Sequence, residues 1–258
     1  MARVAVEGRR LAVRAASVAA ALAVWQVSAS LDVVSDFLLP SPGEIALRLV
    51  QDVADGSFLG AAVATLLRTA AGFAIAAVAG ITIGLLIARV AAARWFFDPL
   101  VSIGLPTPKI AFLPIFVLWF GIFDTSKILM AAFNAVFPII VATAAGTQAV
   151  DKFILWSAAG MGAGRGQMLW GIALPAALPS ILTGLQIALP ISLIVIIVSE
   201  MATGADGLGG SMILAMRLAD SPGVFSGIVG TALVGLMLLK SVELLRRRLL
   251  VWHEEAAT

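Results

Sequence analysis

The sequence predicts an all-α integral membrane protein with six transmembrane helices and both termini in the cytoplasm. Of its 258 residues, 61% are hydrophobic and only 12% are charged, which is far from the composition of a soluble domain. Six apolar runs are long enough to cross a hydrocarbon core, which takes about 20 helical residues. Basic residues cluster at one end of these runs, as membrane topology requires.

The first apolar run covers about residues 11–31 and follows a stretch that contains four arginines. A basic stretch before an apolar run also occurs in signal peptides, but no clear small-residue cleavage site leads into a soluble domain here. We therefore expect a retained first span. The acidic segment that follows, residues 32–60, should lie outside the cytoplasm, and Pro40 and Pro42 indicate the start of a short surface helix there.

The second span, at about residues 62–90, carries a small residue at every fourth position. These residues are Gly72, Ala76, Gly80, Gly84 and Ala88. In lipid, hydrophobic burial does not drive helices together, and such a row of small residues allows close backbone packing. We therefore expect another span to pack closely against this one.

The third span, at about residues 100–123, contains Pro106, Pro108 and Pro114. Because proline interrupts the helical hydrogen bonds, this span should be kinked or partly unwound, with the freed carbonyls satisfied inside the protein or a cavity. The remaining spans lie at about residues 127–148, 180–202 and 224–244.

The distribution of Lys and Arg predicts the orientation. Of the 17 such residues, twelve lie in the two termini and in the loops at residues 89–94 and 149–179, whereas only Arg48, Lys127 and Arg217 lie on the other side of the spans. Basic residues are enriched in cytoplasmic loops. This places both termini and the loop at 149–179 in the cytoplasm.

Several functions have no support in the sequence. The chain has no cysteine and a single histidine, His253, and no Ser/His, paired Asp or metal-ligand cluster appears within the spans, so we expect neither a catalytic nor a metal site. The basic balance follows membrane topology and does not indicate nucleic-acid binding. A self-contained secondary transporter usually shows an inverted repeat and embedded charge pairs; neither is clear here, and this alternative stays open.

The loop at 149–179 combines charge with dense glycine. Its glycines at 160, 162, 164, 166 and 171 would each cost a helix about 1 kcal/mol relative to alanine, so two short helices joined by a glycine hinge fit better than one long helix. Glycine also lets a partner's surface approach the backbone. We therefore expect this loop to meet a partner protein.

The same loop resembles the coupling loop of ABC importer permeases, which has the form E-A-A, three residues, Gly, nine residues, I-x-L-P. Gly162 is followed at that spacing by Ile172-Ala173-Leu174-Pro175, and Trp156, Ser157 and Ala158 fall on the E-A-A positions, of which only the second alanine matches. The resemblance implies that Gly162 permits a hinge, that Arg165 and Gln167 contact an ATPase subunit, and that Pro175 and Pro179 fix the exit into the fifth span.

Three further runs are similar to the nitrate, sulfonate and taurine subgroup of these permeases. They are ATLLRTAAGF (64–73), PTPKIAFLPIFVLWFG (106–121), and LPAALPSILTGLQIAL (174–189) followed by SEM (199–201) and GLG (207–209). Pro190 and Gln186 depart from the residues common in this subgroup. The resemblance implies a type I importer permease fold over the whole chain, residues 1–258, in the bacterial inner membrane, and import of a small, anionic solute.

The resemblance also implies partners. These are a second copy of the permease, two ATPase subunits that hold ATP and Mg, and a periplasmic solute-binding protein. The chain has no Gly-x-x-x-x-Gly-Lys-Ser/Thr loop, so any ATP must be hydrolysed by another chain and no cofactor is expected in this one. Bicarbonate, an aromatic carboxylate or a thiamine pyrimidine precursor remain alternative substrates.

Polar residues inside spans are candidates for the translocation path, because they are costly in lipid and usually face a cavity or another helix. These residues are Asn134, Gln186, Ser192, Ser199 and Glu200. Hydrogen bonding between helices is the alternative role for each of them. Glu200 is the only charged member, and it lies near the external end of its span.

Overall fold

The computed structural model describes residues 2–31 and 35–250, and every regular element in these two ranges is helical. His253 and Asp32 lie outside the described residues. The α-helices are α1 (Ala2–Ser30), α2 (Pro42–Ala54), α3 (Ser57–Arg89), α4 (Ala91–Gly104), α5 (Leu113–Phe120), α6 (Asp124–Gln148), α7 (Lys152–Gly160), α8 (Arg165–Met168), α9 (Leu174–Thr203), α10 (Leu208–Arg217) and α11 (Ser221–Leu249).

Within the described ranges, four continuous helical stretches are long and apolar enough to cross a membrane. They contain α3, α6, α9 and α11, and α4 with the helical residues 109–120 makes a fifth candidate if that bent pair is one span. The apolar part of α1, Ala16–Ser30, is shorter than the length required. The sixth span and the side on which the termini lie therefore stay predictions.

The helices extend beyond the predicted spans. α3 begins at Ser57 and α9 at Leu174, and α11 continues to Leu249, because hydropathy marks only the part of a helix that matches the hydrocarbon. The last six residues of the predicted loop, 174–179, are already part of α9.

α3 packs against α6 through the predicted row of small residues. A Cβ atom added at Gly72, Gly80 or Gly84 would lie within 2.9 Å of a side chain of α6, the shortest distance being 2.6 Å from Gly84 to Thr143 Cβ. Ala76 is buried in a cluster with Ala135, Ile139 and Ala188. The expectation of close packing along this face is confirmed.

α9 also packs closely against α6. A Cβ at Gly184 would lie 2.7 Å from Ala142 Cβ, and one at Gly146 would collide with Ser180. α6 is therefore the central helix, in close backbone contact with both α3 and α9.

The third span is broken, as its prolines predict. α4 ends at Gly104, a 3-10 helix covers Lys109–Phe112, and the segments on the two sides of the break differ in direction by 95°. Lys109 Nζ donates to the carbonyls of Gly104 (2.9 Å) and Leu105 (3.0 Å). The ammonium group of a nearby side chain thus satisfies carbonyls that the break leaves without a helical partner.

α2 begins at the predicted proline. Ser41 is the N-cap residue, its hydroxyl accepts from Glu44 N, and Pro42 occupies the first turn, an arrangement that satisfies free N–H groups. Arg48 pairs with Asp52 and with Asp220 at the start of α11, both at 2.9 Å. The hydrogen bond to Asp52 raises the pKa of the Arg48 guanidinium above its ordinary value. These contacts join α2 to α11.

We expect Gly80→Ala and Gly60→Ala, both in α3, to change stability in opposite directions. The methyl group at position 80 would lie 2.7 Å from Ile139 Cβ and 3.1 Å from the Val136 carbonyl, so overpacking should cost about 1–3 kcal/mol. Nothing lies within 4 Å at position 60, where alanine should gain up to about 1 kcal/mol from helix propensity. Thermal unfolding of the purified chain in detergent measures both. Equal shifts would contradict the packing described for α3 and α6.

Candidate functional site

The coupling loop, defined as residues 149–179, folds as two short helices joined by a glycine turn. The Asp151 carboxylate caps α7 by accepting from Phe153 N at 2.8 Å. α7 ends at Gly160, and the chain resumes a helical course at Arg165 through α8 and a π-helical turn at Leu169–Ala173. The hinge expected from the glycines is present between the two helices.

Gly162 forms this hinge. Its φ is +87°, in the left-handed region, and nothing lies within 4 Å of an added Cβ. A residue with a side chain costs about 1–2 kcal/mol in this conformation. Backbone conformation, and not a lack of space, is therefore what requires glycine here.

The outer surface of α7 is apolar and aromatic. Phe153 and Met161 are exposed, and Trp156 is 62% exposed, while Ala158 is buried on the opposite side. Lys152 Nζ lies 5.5 and 5.6 Å from the ring centroids of Phe153 and Trp156, which is within the range of a cation–π interaction. Contiguous exposed apolar surface of this kind is found where proteins bind other proteins or membranes.

The other residues predicted for this loop lie around that face. Ser157 and Arg165 are exposed. Gln167 is also exposed, and its Oε1 accepts from Gly164 N at 2.9 Å, so it caps α8 as well. Pro175 is exposed in the first turn of α9, whereas Pro179 lies inside that helix. The chain is helical from Arg165 onward, before both prolines. The non-helical turn between the two helices therefore ends at Gly164, and neither proline lies in it.

The five candidates for the translocation path do not form one site. Asn134, Ser192 and Ser199 are buried, and each donates to the carbonyl four residues earlier in its own helix. Gln186 accepts from Arg246 of α11. Only Glu200 belongs to a larger polar cluster, and it lies near the end of α9 opposite to the coupling loop.

Glu200 pairs with Arg68 of α3 in the interior. Its side chain is 0% exposed, and that of Arg68 is 6% exposed. Arg68 Nη1 donates to Glu200 Oε1 at 2.8 Å and also to the backbone carbonyl of Asp206. Arg68 Nε and Nη2 donate to Asp124 (2.8 Å) and Asp206 (2.9 Å). We call Thr65, Arg68, Asp124, Glu200 and Asp206 the Arg68 cluster.

The Arg68 cluster also fixes the start of α10. Thr65 Oγ1 donates to Glu200 and accepts from Leu208 N, and Glu200 Oε2 accepts from Gly209 N. Two free N–H groups at the helix start are thereby satisfied. A Cβ at Gly207 or Gly209 would collide with Glu200 or with the Ile197 carbonyl, so the glycines let this turn reach the buried carboxylate.

The members of the Arg68 cluster differ in how firmly they are held. Removing one partner of a buried ion pair leaves an uncompensated charge and costs about 3–5 kcal/mol. Exposed ion pairs contribute only about 0–1 kcal/mol, and the side chains of Asp124 and Asp206 are 58% and 80% exposed. The pair of Arg68 with Glu200 is therefore the firm part of the cluster.

Sequence reasoning selected Glu200 but missed its partners. Arg68 is the charged residue inside the second span, and an ionisable residue at such a position is a functional candidate by itself. Thr65 lies three residues before Arg68, on the same helix face. That pattern was visible, whereas the contact with residues more than 130 positions away along the chain was not.

Several apolar helices are long enough to span a membrane, one further span is broken, and a helical loop carries an exposed aromatic surface. These features define a multi-pass membrane subunit that works with a partner protein. The chain belongs to the family of binding-protein-dependent transport system inner membrane components, which matches residues 80–251. It is therefore an inner-membrane permease subunit of an ABC importer. The family implies an ATPase and a solute-binding protein as partners, and it decides against a self-contained secondary transporter.

Two relatives place the chain in the subgroup that its motifs resemble. It is 31% identical over 252 residues to the taurine transport system permease protein TauC of Escherichia coli (strain K12), covering 96% of this chain and 92% of the relative. It is 34% identical over 232 residues to a protein of Bacillus subtilis (strain 168) that is named as an aliphatic sulfonates transport permease, SsuC, covering 90% and 84%.

A solved structure shares the fold. The crystal structure of an amino acid ABC transporter with histidines aligns with a TM-score of 0.63 at 19% identity, over 78% of this chain and 97% of that chain. The all-helical permease fold of type I importers is thus confirmed for this protein.

We expect Arg68→Ala to lower the free energy of unfolding by about 3–5 kcal/mol, because it leaves the buried Glu200 carboxylate without its charged partner. Glu200→Ala should cost less, because Arg68 keeps its ion pairs with Asp124 and Asp206. The double variant should lose clearly less than the sum of the two. Thermal unfolding in detergent provides the measurement, and Glu243→Ala, which removes an exposed carboxylate of α11, serves as the control without effect. Additive losses would show that the two charges do not depend on each other.

Proposed function

We propose that this permease imports a small anionic solute of the sulfonate, taurine or nitrate type. In this proposal, two copies of the chain form the pore, two ATPase subunits dock on their coupling loops, and a periplasmic binding protein delivers the solute. The anionic substrate class rests on the subgroup motifs and on the printed names of the two relatives.

The exposed aromatic surface of α7 is the observation that carries the docking proposal. Trp156 stands at the centre of this surface, between Phe153 and the glycine hinge at Gly162. Exposed tryptophan is the side chain most enriched among residues that dominate binding energy. Arg165 and Gln167 lie on the neighbouring helix and supply polar contacts at its edge.

ATP and Mg belong to the partner in this proposal. When the ATPase subunits close on ATP, they draw the two coupling loops together. Each loop continues directly into α9 through α8 and the π-helical turn, so its displacement reaches the transmembrane bundle without an intervening flexible segment. The break between α4 and α5 then allows the pathway to open toward the outside.

We expect Trp156→Ala to weaken ATPase binding at least tenfold, or about 1.4 kcal/mol, because the change removes the largest exposed ring of the docking surface. The measurement is the affinity of the purified ATPase subunit for the permease in lipid nanodiscs, together with ATPase activity that depends on the binding protein. Trp119→Ala is the matched control, since Trp119 is equally exposed but lies in α5, away from the loop. No association of the wild-type permease with an ATPase would refute the docking proposal, and equal losses in both variants would place the contact elsewhere.

We expect proteoliposomes that contain the complete transporter to take up radiolabelled taurine, alkanesulfonate or nitrate. The same solutes in unlabelled form should inhibit this uptake. Radiolabelled taurine, an alkanesulfonate and nitrate are each tested as substrate. Bicarbonate, an aromatic carboxylate and a thiamine pyrimidine precursor represent the alternative substrates. They are tested both as competitors and as labelled substrates. Uptake of one of these three, with no uptake of the sulfonates or nitrate, would replace the proposed substrate class while leaving the importer function intact.

A further inference from the structure

The Arg68 guanidinium divides its hydrogen bonds between one buried and two exposed carboxylates. The buried one, Glu200, belongs to a helix that is tightly packed in the bundle. Of the exposed ones, Asp124 is the first residue of α6, and Asp206 lies in the connection between α9 and α10. Arg68 therefore bridges the interior of the bundle and two surface segments through a single side chain.

Both surface segments have the backbone features of hinges. Asp124 follows the junction of α5 and α6, where Gly121 has a φ of +78°. Asp206 lies between Gly204 (φ +63°) and Gly207 (φ +122°). Residues at helix ends and in short connections absorb backbone changes when elements move. The two ion pairs thus join Arg68 to residues that lie next to these helix interruptions.

Each exposed carboxylate has another cation nearby. Lys127 Nζ lies 3.7 Å from Asp124 Oδ1. Arg217 lines the same groove as Asp206, a groove of about 560 Å³ between the start of α3 and α10. Lys127 is therefore a second cation beside Asp124, and Arg217 is a cation of the groove that Asp206 lines.

The cluster and the coupling loop lie at opposite ends of α9. This helix has 30 residues and is about 45 Å long at about 1.5 Å per residue. If the ATPase subunits bind the coupling loop, the Arg68 cluster is at the outer end of the bundle, where solute enters.

We propose that Arg68 is a positioning residue for transport. Its buried ion pair with Glu200 holds it in the bundle, and its ion pairs with Asp124 and Asp206 form an exchangeable latch at the outer end of the bundle. The latch opens when solute is admitted and closes again afterwards. The buried pair with Glu200 persists throughout and keeps the guanidinium in place for reclosure. This inference rests on the proposed function, because it takes the coupling loop to be the ATPase side.

The test joins the two sides of the latch covalently in the complete transporter. The chain has no cysteine, so with cysteine-free partner subunits a thiol-cleavable bismaleimide links only the pair in the Asp124→Cys/Asp206→Cys variant. We expect linking to reduce uptake at least tenfold and reductive cleavage to restore it. The single variant Asp124→Cys is the control, and its uptake should be the same with and without the reagent.

Three results would overturn the latch. Uptake that is unchanged after linking would show that the two segments never separate. Failure to link, judged by the mass of the chain, would show that the two positions do not share Arg68. If the wild-type complex shows no uptake that depends on the binding protein, the proposed function and the latch are refuted together. This outcome is recognised before any variant is made.

A charge-neutral variant tests the latch without a linker. Asp206→Asn keeps the shape of the side chain and removes its charge, and we expect at least threefold higher ATPase activity in the absence of the binding protein, with an unchanged melting temperature. Asp55→Asn is the matched control, because Asp55 is an exposed carboxylate that accepts from Ser57 N and lies outside the cluster. Unchanged basal ATPase activity in Asp206→Asn, or an equal rise in the control, would contradict the proposal.

Discussion

Close contact between helix backbones is the constraint on which the rest of this structure depends. Helices in lipid gain little from apolar burial, so van der Waals contact between small residues has to hold them together. α6 meets α3 at Gly72, Gly80 and Gly84, and it meets α9 at Gly184. Because α3 and α9 both pack on the same central helix, the first part of α3 and the last part of α9 also come close enough for Arg68 to reach Glu200.

The buried ion pair is tolerable only because the surrounding groups complete its hydrogen bonds. A buried charge needs a partner and further polar contacts to offset its lost hydration. Glu200 receives them from Arg68, from the hydroxyl of Thr65 and from Gly209 N. The glycines of the connection before α10 are part of this solution, since a side chain at Gly207 would occupy the position of the carboxylate.

Local sequence features predicted most of the helices, but they did not predict which side chains from distant segments contact each other. Apolar length identified the spans that contain α3, α6, α9 and α11, prolines predicted the broken span, and glycines predicted the hinge at Gly162. Each of these signals lies within a short stretch of chain. Polarity selected Asn134, Ser192 and Ser199 as path residues. Their side chains donate hydrogen bonds within their own helices, and their place on the path stays a prediction. The contact of Arg68 with Glu200 depends on packing between distant segments, which no local pattern encodes.

The distribution of tight packing and of irregular backbone indicates how the two ends of the molecule are connected. At the closest points of its contacts with α3 and α9, α6 leaves no room for an added methyl group, and an interior this dense moves as a unit and does not deform continuously. In the proposed mechanism, motion that enters at the coupling loop passes along α9 with the bundle. It is absorbed where helices are interrupted, at the break after Gly104, at Gly121 and between Gly204 and Gly207. Two of these three interruptions lie next to a carboxylate bound to Arg68, so in this proposal the side chain that secures the packed helices also limits how far these segments can turn.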